Sequence, residues 1–256
     1  MPNSSSYLTA HSADLNKISA RIPEAREFIH ACDPEKSPAW NAEKAFLNRW
    51  YGNAGEAVCA ALTKHFYTRF NRVPGQLLLL RRFINSTESI TFPIINHFYM
   101  LLADPYYRWA ASEYLVDRFK QQRFSVAIDD FDAGLQTQLP PSVGQGSLVR
   151  YAQNLRTSLR DNGLLAGQKN KLIVSPSLTM KSLAYILYAL SDSGVGVNEF
   201  DGSPVHRSLL KPRERLIPLF QEGERLGYWE FTGDKTRLTG NLRLQGLEGL
   251  IEVVSP

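Results

Sequence analysis

The basic side chains of this 256-residue chain are unevenly placed. Between residues 147 and 190 stand Arg150, Arg156, Arg160, Lys169, Lys171 and Lys181, opposed only by Asp161. Six bases less one acid is a local +5, against +4 for the whole chain. Arg156 and Arg160 are one helical turn apart, away from the stripe of Leu148, Leu155 and Leu159, and Lys169 and Lys171 flank a polar turn. Such a surface neutralises phosphates. Near its start, Gln145, Ser147, Arg150, Gln153 and Asn154 supply the groups that pair with base edges, arginine with guanine and carboxamides with adenine. A second, acid-free run holds Lys64, Arg69, Arg72, Arg81 and Arg82. The same charges also suit a solvated helix face or an acidic protein partner, and such polar residue types are common on any helix.

Motifs for covalent chemistry do not stand out. The phosphate-binding pattern Gly-x-x-x-x-Gly-Lys-Ser/Thr does not occur. Gly194-Val195-Gly196 with Glu199 has the glycines of a cofactor loop but not its strand-and-helix setting, and reads as a turn. His11, His30, His65, His97 and His206 pair with no Cys, Asp or Glu at a metal-ligand spacing, and His65 sits on an apolar helical face. Asp129, Asp130 and Asp132 read as acids complementing a helix N-terminus rather than as a metal site. Cys32 and Cys59 are too few for a disulfide framework, which favours a reducing compartment. Neither a signal peptide nor a run of about 20 apolar residues is seen. The expectation is a cytoplasmic, non-catalytic protein with no cofactor, no metal and no membrane contact.

The elements that would carry the charge follow from periodicity and punctuation. The first half reads as consecutive helices. Val58, Leu62, His65, Phe66 and Phe70 recur at spacings of three and four over 56–70. A further helical or buried segment spans 77–84, Asp104 caps a helix with Pro105 at its first position, and 107–119 has no breaker. Past residue 125 a short helix over 128–139 meets the turn PPSVGQG, then a helix capped by Ser147 and closed by Gly163. A hairpin of 164–166 and 171–174 comes next. Helix, turn, helix, hairpin is the order of a winged helix-turn-helix, whose second helix can enter the major groove, or of an ordinary helix pair with a connector. Residues 213–226 form a helix that Pro218 must enter early or kink, ended by Gly227. Strands over 228–231 and 236–239 make either a second wing or a sheet edge. The fold class is mainly α, with a helical N-terminal domain over 1–125 and a winged-helix-like C-terminal domain over 126–256.

The run YYRWAASEYLVDRF followed by LVRYAQNLRTSLRDNGLLAGQKNKLIVSP resembles the BrxA family, accessory proteins of bacteriophage exclusion (BREX) defence systems. The closest likeness is the helix ending in LRDNGLL before a lysine-rich turn. RLIPLFQEGERLGYWEFTG with TRLTGNLRLQGLEGL is compatible with the same family, so the likeness covers about the last 150 residues. It implies a mostly helical protein associated with DNA binding and encoded beside a methyltransferase, a large ATPase and a phosphatase-like protein. With the basic residues above, the expectation is a protein that binds double-stranded DNA mainly through phosphates. The competing expectation is a protein adaptor that docks such components through aromatic anchors, with Tyr106, Tyr107, Trp109, Tyr228 and Trp229 as candidates.

Overall fold

The computed structural model describes residues 18–71, 75–168, 171–234 and 236–254. Arg72 and Lys169 lie outside the described residues. The fold is mainly helical, with two small antiparallel sheets. Five helices come first: α1 (Ile22–Ala31), α2 (Pro38–Leu47), α3 (Glu56–Phe70), α4 (Gln76–Asn85) and α5 (Phe92–Ala103). Ser37 starts α2, its Oγ accepting from the Trp40 amide with Pro38 at the first helical position. Every residue of α5 from Ile94 to Ala103 is buried, as in a helix surrounded on all sides. α10 (Met180–Asp192) is likewise buried from Ser182 to Leu190 and packs against α5. Phe28, Phe66, Phe70 and Tyr99 form an aromatic chain that reaches α10 where the Tyr99 and Tyr185 hydroxyls meet at 2.7 Å.

The next segment contains the unit of functional interest. Asp104 caps α6 (Pro105–Trp109) by accepting from the amides of Tyr106 and Tyr107. A π-helical turn (Ala110–Tyr114) carries α6 into α7 (Leu115–Lys120). The unbroken helix expected over 107–119 is thus present, with one extra residue taken up in the wider π turn. Strand β1 (Ser125–Val126), α8 (Ile128–Gln138), α9 (Gln145–Asp161), β2 (Leu165–Ala166) and β3 (Lys171–Ile173) follow. β3 lies between β1 and β2, pairing antiparallel with both. The order is helix, strand, two helices and a hairpin, with the first strand against the last.

Helices α11 (Val197–Phe200), α12 (Pro204–Ser208) and α13 (Arg213–Arg225) then lead to the hairpin of β4 (Trp229–Phe231) and β5 (Gly240–Leu242), and α14 (Gly246–Val254) packs on α10 and α4. The second strand therefore begins at Gly240 and not, as expected, at Thr236. Asp234 accepts from the amides of Thr236 and Arg237, which holds that stretch as a turn. Pro218 lies inside α13 and Gly227 follows it at φ +78°. Gly223 of α13 faces the Trp229 indole so closely that a Cβ would overlap the ring, whose Nε1 donates to the Phe220 carbonyl at 2.7 Å. The 125/126 division runs through β1, and helices from both sides of it share one hydrophobic core.

A buried chain of hydrogen bonds crosses that core. Ser208 Oγ donates to the Val205 carbonyl at 2.8 Å and so accepts from His97 Nε2, also at 2.8 Å. His97 Nδ1 then accepts from the Tyr107 hydroxyl at 2.8 Å, and Tyr107 accepts from Asn162 Nδ2 at 2.8 Å. Asn162 Oδ1 accepts from Asn96 Nδ2 at 2.8 Å, and Asn96 Oδ1 from Arg69 Nη1 at 3.1 Å. Arg69 also donates to the Ala20 carbonyl at 2.9 Å. Burial holds His97 neutral, with its pKa down at about 3. An unfolded chain takes up that proton near pH 6.5, so the His97 contribution is complete above pH 6.5 and is lost as pH falls toward 3. Asp104, lifted by burial to about 6, acts in the opposite sense but is common to a variant at position 97. The stability advantage of wild type over His97→Gln should therefore shrink between pH 6.5 and 4, by up to about 1.4 kcal/mol per pH unit. Denaturant melts across pH check this, and a constant difference would contradict it.

Candidate nucleic-acid interface

α9 is built to show one face. Its Gly144 N-cap carbonyl accepts from the Ser147 and Leu148 amides, so the helix starts at Gln145 and Ser147 lies in its first turn rather than capping it. Leu148, Ala152, Leu155 and Leu159 are buried, and Phe131 and Leu135 are the buried side of α8 packed on α9. The other end closes as the sequence suggests. Gly163 has φ +79° and the Leu164 amide reaches back to the Leu159 carbonyl at 2.8 Å, a Schellman close.

The outward face of α9 carries Ser147, Arg150 and Gln153, with Asn154 and Thr157 half-buried, and ends at Arg160. These positions recur at three and four residues, one stripe along the helix. From Arg150 to Arg160 the stripe is about 15 Å long at 1.5 Å rise per residue. Gln145 is exposed at the helix start and Val149, also exposed, adds an apolar contact beside Arg150. Val149 and Thr157 were not apparent as site residues, since neither is charged or a carboxamide.

The β2–β3 hairpin adjoins the far end of this stripe. Val126, Leu165 and Ile173 point inward, leaving Leu172 half exposed on the outer side. Lys171 Nζ donates to the Gly167 carbonyl at 3.0 Å across the hairpin. Burial pulls the Lys171 pKa below the lysine range, and the nearby Arg160 and Arg156 cations lower it further. Arg160 and Lys171 thus belong to one positive region. Asp161, bonded to Arg160 Nη2 at 2.8 Å, offsets part of it. Lys181 is exposed in the first turn of α10, outside this unit.

Several basic residues expected at the surface have other duties. Arg156 is buried, ion-paired to Asp132 of α8 and set with its guanidinium 5.4 Å from the Phe131 ring. It fastens α8 to α9 and is no phosphate ligand. Arg69 is buried in the hydrogen-bond chain, where desolvation lowers its pKa to about 10. Arg81 is half-buried and donates to the carbonyls of Ile29 and Cys32, closing the C-terminus of α1. Among the described residues of the second run, Lys64 and Arg82 are exposed, on α3 and α4. Asp130 pairs with Arg118 at 3.4 Å, while Asp129 and Asp130 occupy the first turn of α8. Tyr107, Tyr228 and Trp229 are buried and so are not surface anchors, while Tyr106 and Trp109 are half-buried and pack against the core.

No family model matches the chain, and no curated protein matches it. No described helix is long and apolar enough to cross a membrane.

The two arginine classes separate by experiment. Arg156→Ala should lower unfolding free energy by about 3 kcal/mol or more, because Asp132 is left without its partner in a mostly buried place. Arg150→Ala should change it by no more than about 0.5 kcal/mol. Urea unfolding of both variants checks the assignment, and equal losses would contradict it.

Proposed function

We propose that this chain binds double-stranded DNA through α9 and the adjoining wing, mainly by phosphate contacts, and acts by binding rather than catalysis. The observation that carries the reading is the basic and amide stripe of α9, left uncovered at the place where a winged helix offers its recognition helix. Ser147, Arg150 and Gln153 would face base edges, with Arg160 and Lys171 on flanking phosphates. The likeness of residues 107–174 to the BrxA family supports a place as an accessory component of a BREX-type anti-phage system in the bacterial cytoplasm. Its methyltransferase, ATPase and phosphatase-like protein would be the neighbouring partners.

An adaptor role has one observation in its favour. Phe46 and Leu47 of α2 and Val58 of α3, two helices packed on each other, are 41%, 58% and 51% exposed. Association with defence proteins that survives nuclease treatment would favour that role over contact through DNA.

The direct test is the double variant Arg150→Glu/Arg160→Glu. Both side chains are exposed, so the fold should be kept. Duplex affinity should fall, the slope of log K against log salt should drop by about 1, at roughly 0.9 for the Arg160 phosphate contact, and the loss of Arg150 should narrow the differences between sequences. Binding equal to wild type would remove α9 from the interface.

A further inference from the structure

A second basic feature lies away from the α9 stripe. Two adjoining hollows, about 540 and 480 Å³, share Phe119, Leu210, Lys211 and Pro212 and form one open cleft. One wall is α7 with the stretch that follows β3, and the other is α12, the turn after it and the start of α13. Among the described residues its charged lining is Lys120, Arg207, Lys211, Arg213 and Arg215, with no carboxylate.

The cleft is preformed. Leu210 adopts φ +51°, and its carbonyl accepts from Ser175 Oγ at 2.6 Å, which ties the turn before Lys211 to the opposite wall. Arg213 is engaged with Asp201 at 2.9 Å, and Asp201 also accepts from the Leu238 amide at 3.2 Å. Among the described residues, Lys120, Arg207, Lys211 and Arg215 have no ion-pair partner. Burial lowers the Lys211 pKa and the Arg215 cation lowers it again, so these charges stand close without an acid between them. Holding like charges together is unfavourable, and an anion in the cleft relieves it. Cations on both walls and along the length suit a polyanion better than one small ion.

We propose that this cleft holds the phosphodiester backbone of bound DNA at a second place, with Arg207, Lys211 and Arg215 as phosphate ligands. The proposal rests on the DNA-binding reading above. It makes the second helix–hairpin unit a clamp that lengthens the footprint without reading sequence.

Duplex binding is measured across a salt series for wild type, Arg150→Glu/Arg160→Glu and Arg207→Gln/Lys211→Gln/Arg215→Gln, with circular dichroism and melting temperature as fold controls. The cleft variant should lose about 2 to 3 from the salt slope, at roughly 0.9 per phosphate, and protect a shorter stretch of duplex. If Lys211→Gln disturbs the fold, Arg207→Gln/Arg215→Gln, both exposed, should still lose about 2. A cleft variant that binds like wild type, while the α9 variant weakens, overturns the cleft and leaves the α9 reading standing. Wild type that binds no duplex at low salt overturns both. Tripolyphosphate is the probe for a free anion. If it raises the wild-type melting temperature, does not raise that of the cleft variant, and duplex affinity is the same for the two, the cleft is a small-anion site and the proposal fails.

Discussion

The arrangement depends on one buried chain of hydrogen bonds, from Arg69 through Asn96, Asn162, Tyr107 and His97 to Ser208. Each member is buried, so each must find a partner or cost the molecule a desolvated polar group. The donors and acceptors close in one direction only, which fixes the side chains and hence the helices that carry them. Asn162 is the C-cap of α9 and Ser208 lies in α12, while Arg69, Asn96 and His97 belong to α3 and α5. The network therefore sets the exposed face of α9 relative to the N-terminal helices and to the second helix–hairpin unit. Apolar packing alone specifies such relations less sharply.

Around this anchor, charge is sorted by partner. Arg156 and Arg69 hold elements together from inside, Arg81 closes a helix end, and Arg150, Arg160 and Lys171 remain outside on one connected face. Arginine suits both uses: its guanidinium stacks on Phe131 and meets a carboxylate or carbonyl in a fixed fork, and the same fork meets phosphate. The cleft beside α7 adds cations of which, among the described residues, Arg213 alone is ion-paired.

Much of the fold could be read from the residues. The stretch 56–70, the Asp104 cap, the Gly163 close and the 164–174 hairpin are local, set by periodicity and by side chains within a few positions. The division of the arginines is not local. Nothing near Arg156 shows that Asp132, 24 residues earlier, takes it, and nothing near Arg69 points to Asn96, 27 residues later. The same spacing argument placed Arg156 with Arg160 on the solvent side, whereas the helix turns Arg156 toward α8. β1 is two residues long, too short for alternation to show, and it becomes visible only as a partner of β3. The cleft was hidden for the same reason, because Lys120 and Arg215 are brought to one place by folding.

The claim that ties these observations together is that the uncovered α9 face exists to meet phosphates. The most direct measurement is the affinity of the purified wild-type protein for a random-sequence duplex from low to high salt. Tight binding that weakens log-linearly, with a slope equivalent to several phosphates, is the expected result. No binding at low salt, or an affinity indifferent to salt, would contradict it and reassign the basic surfaces to an acidic protein partner.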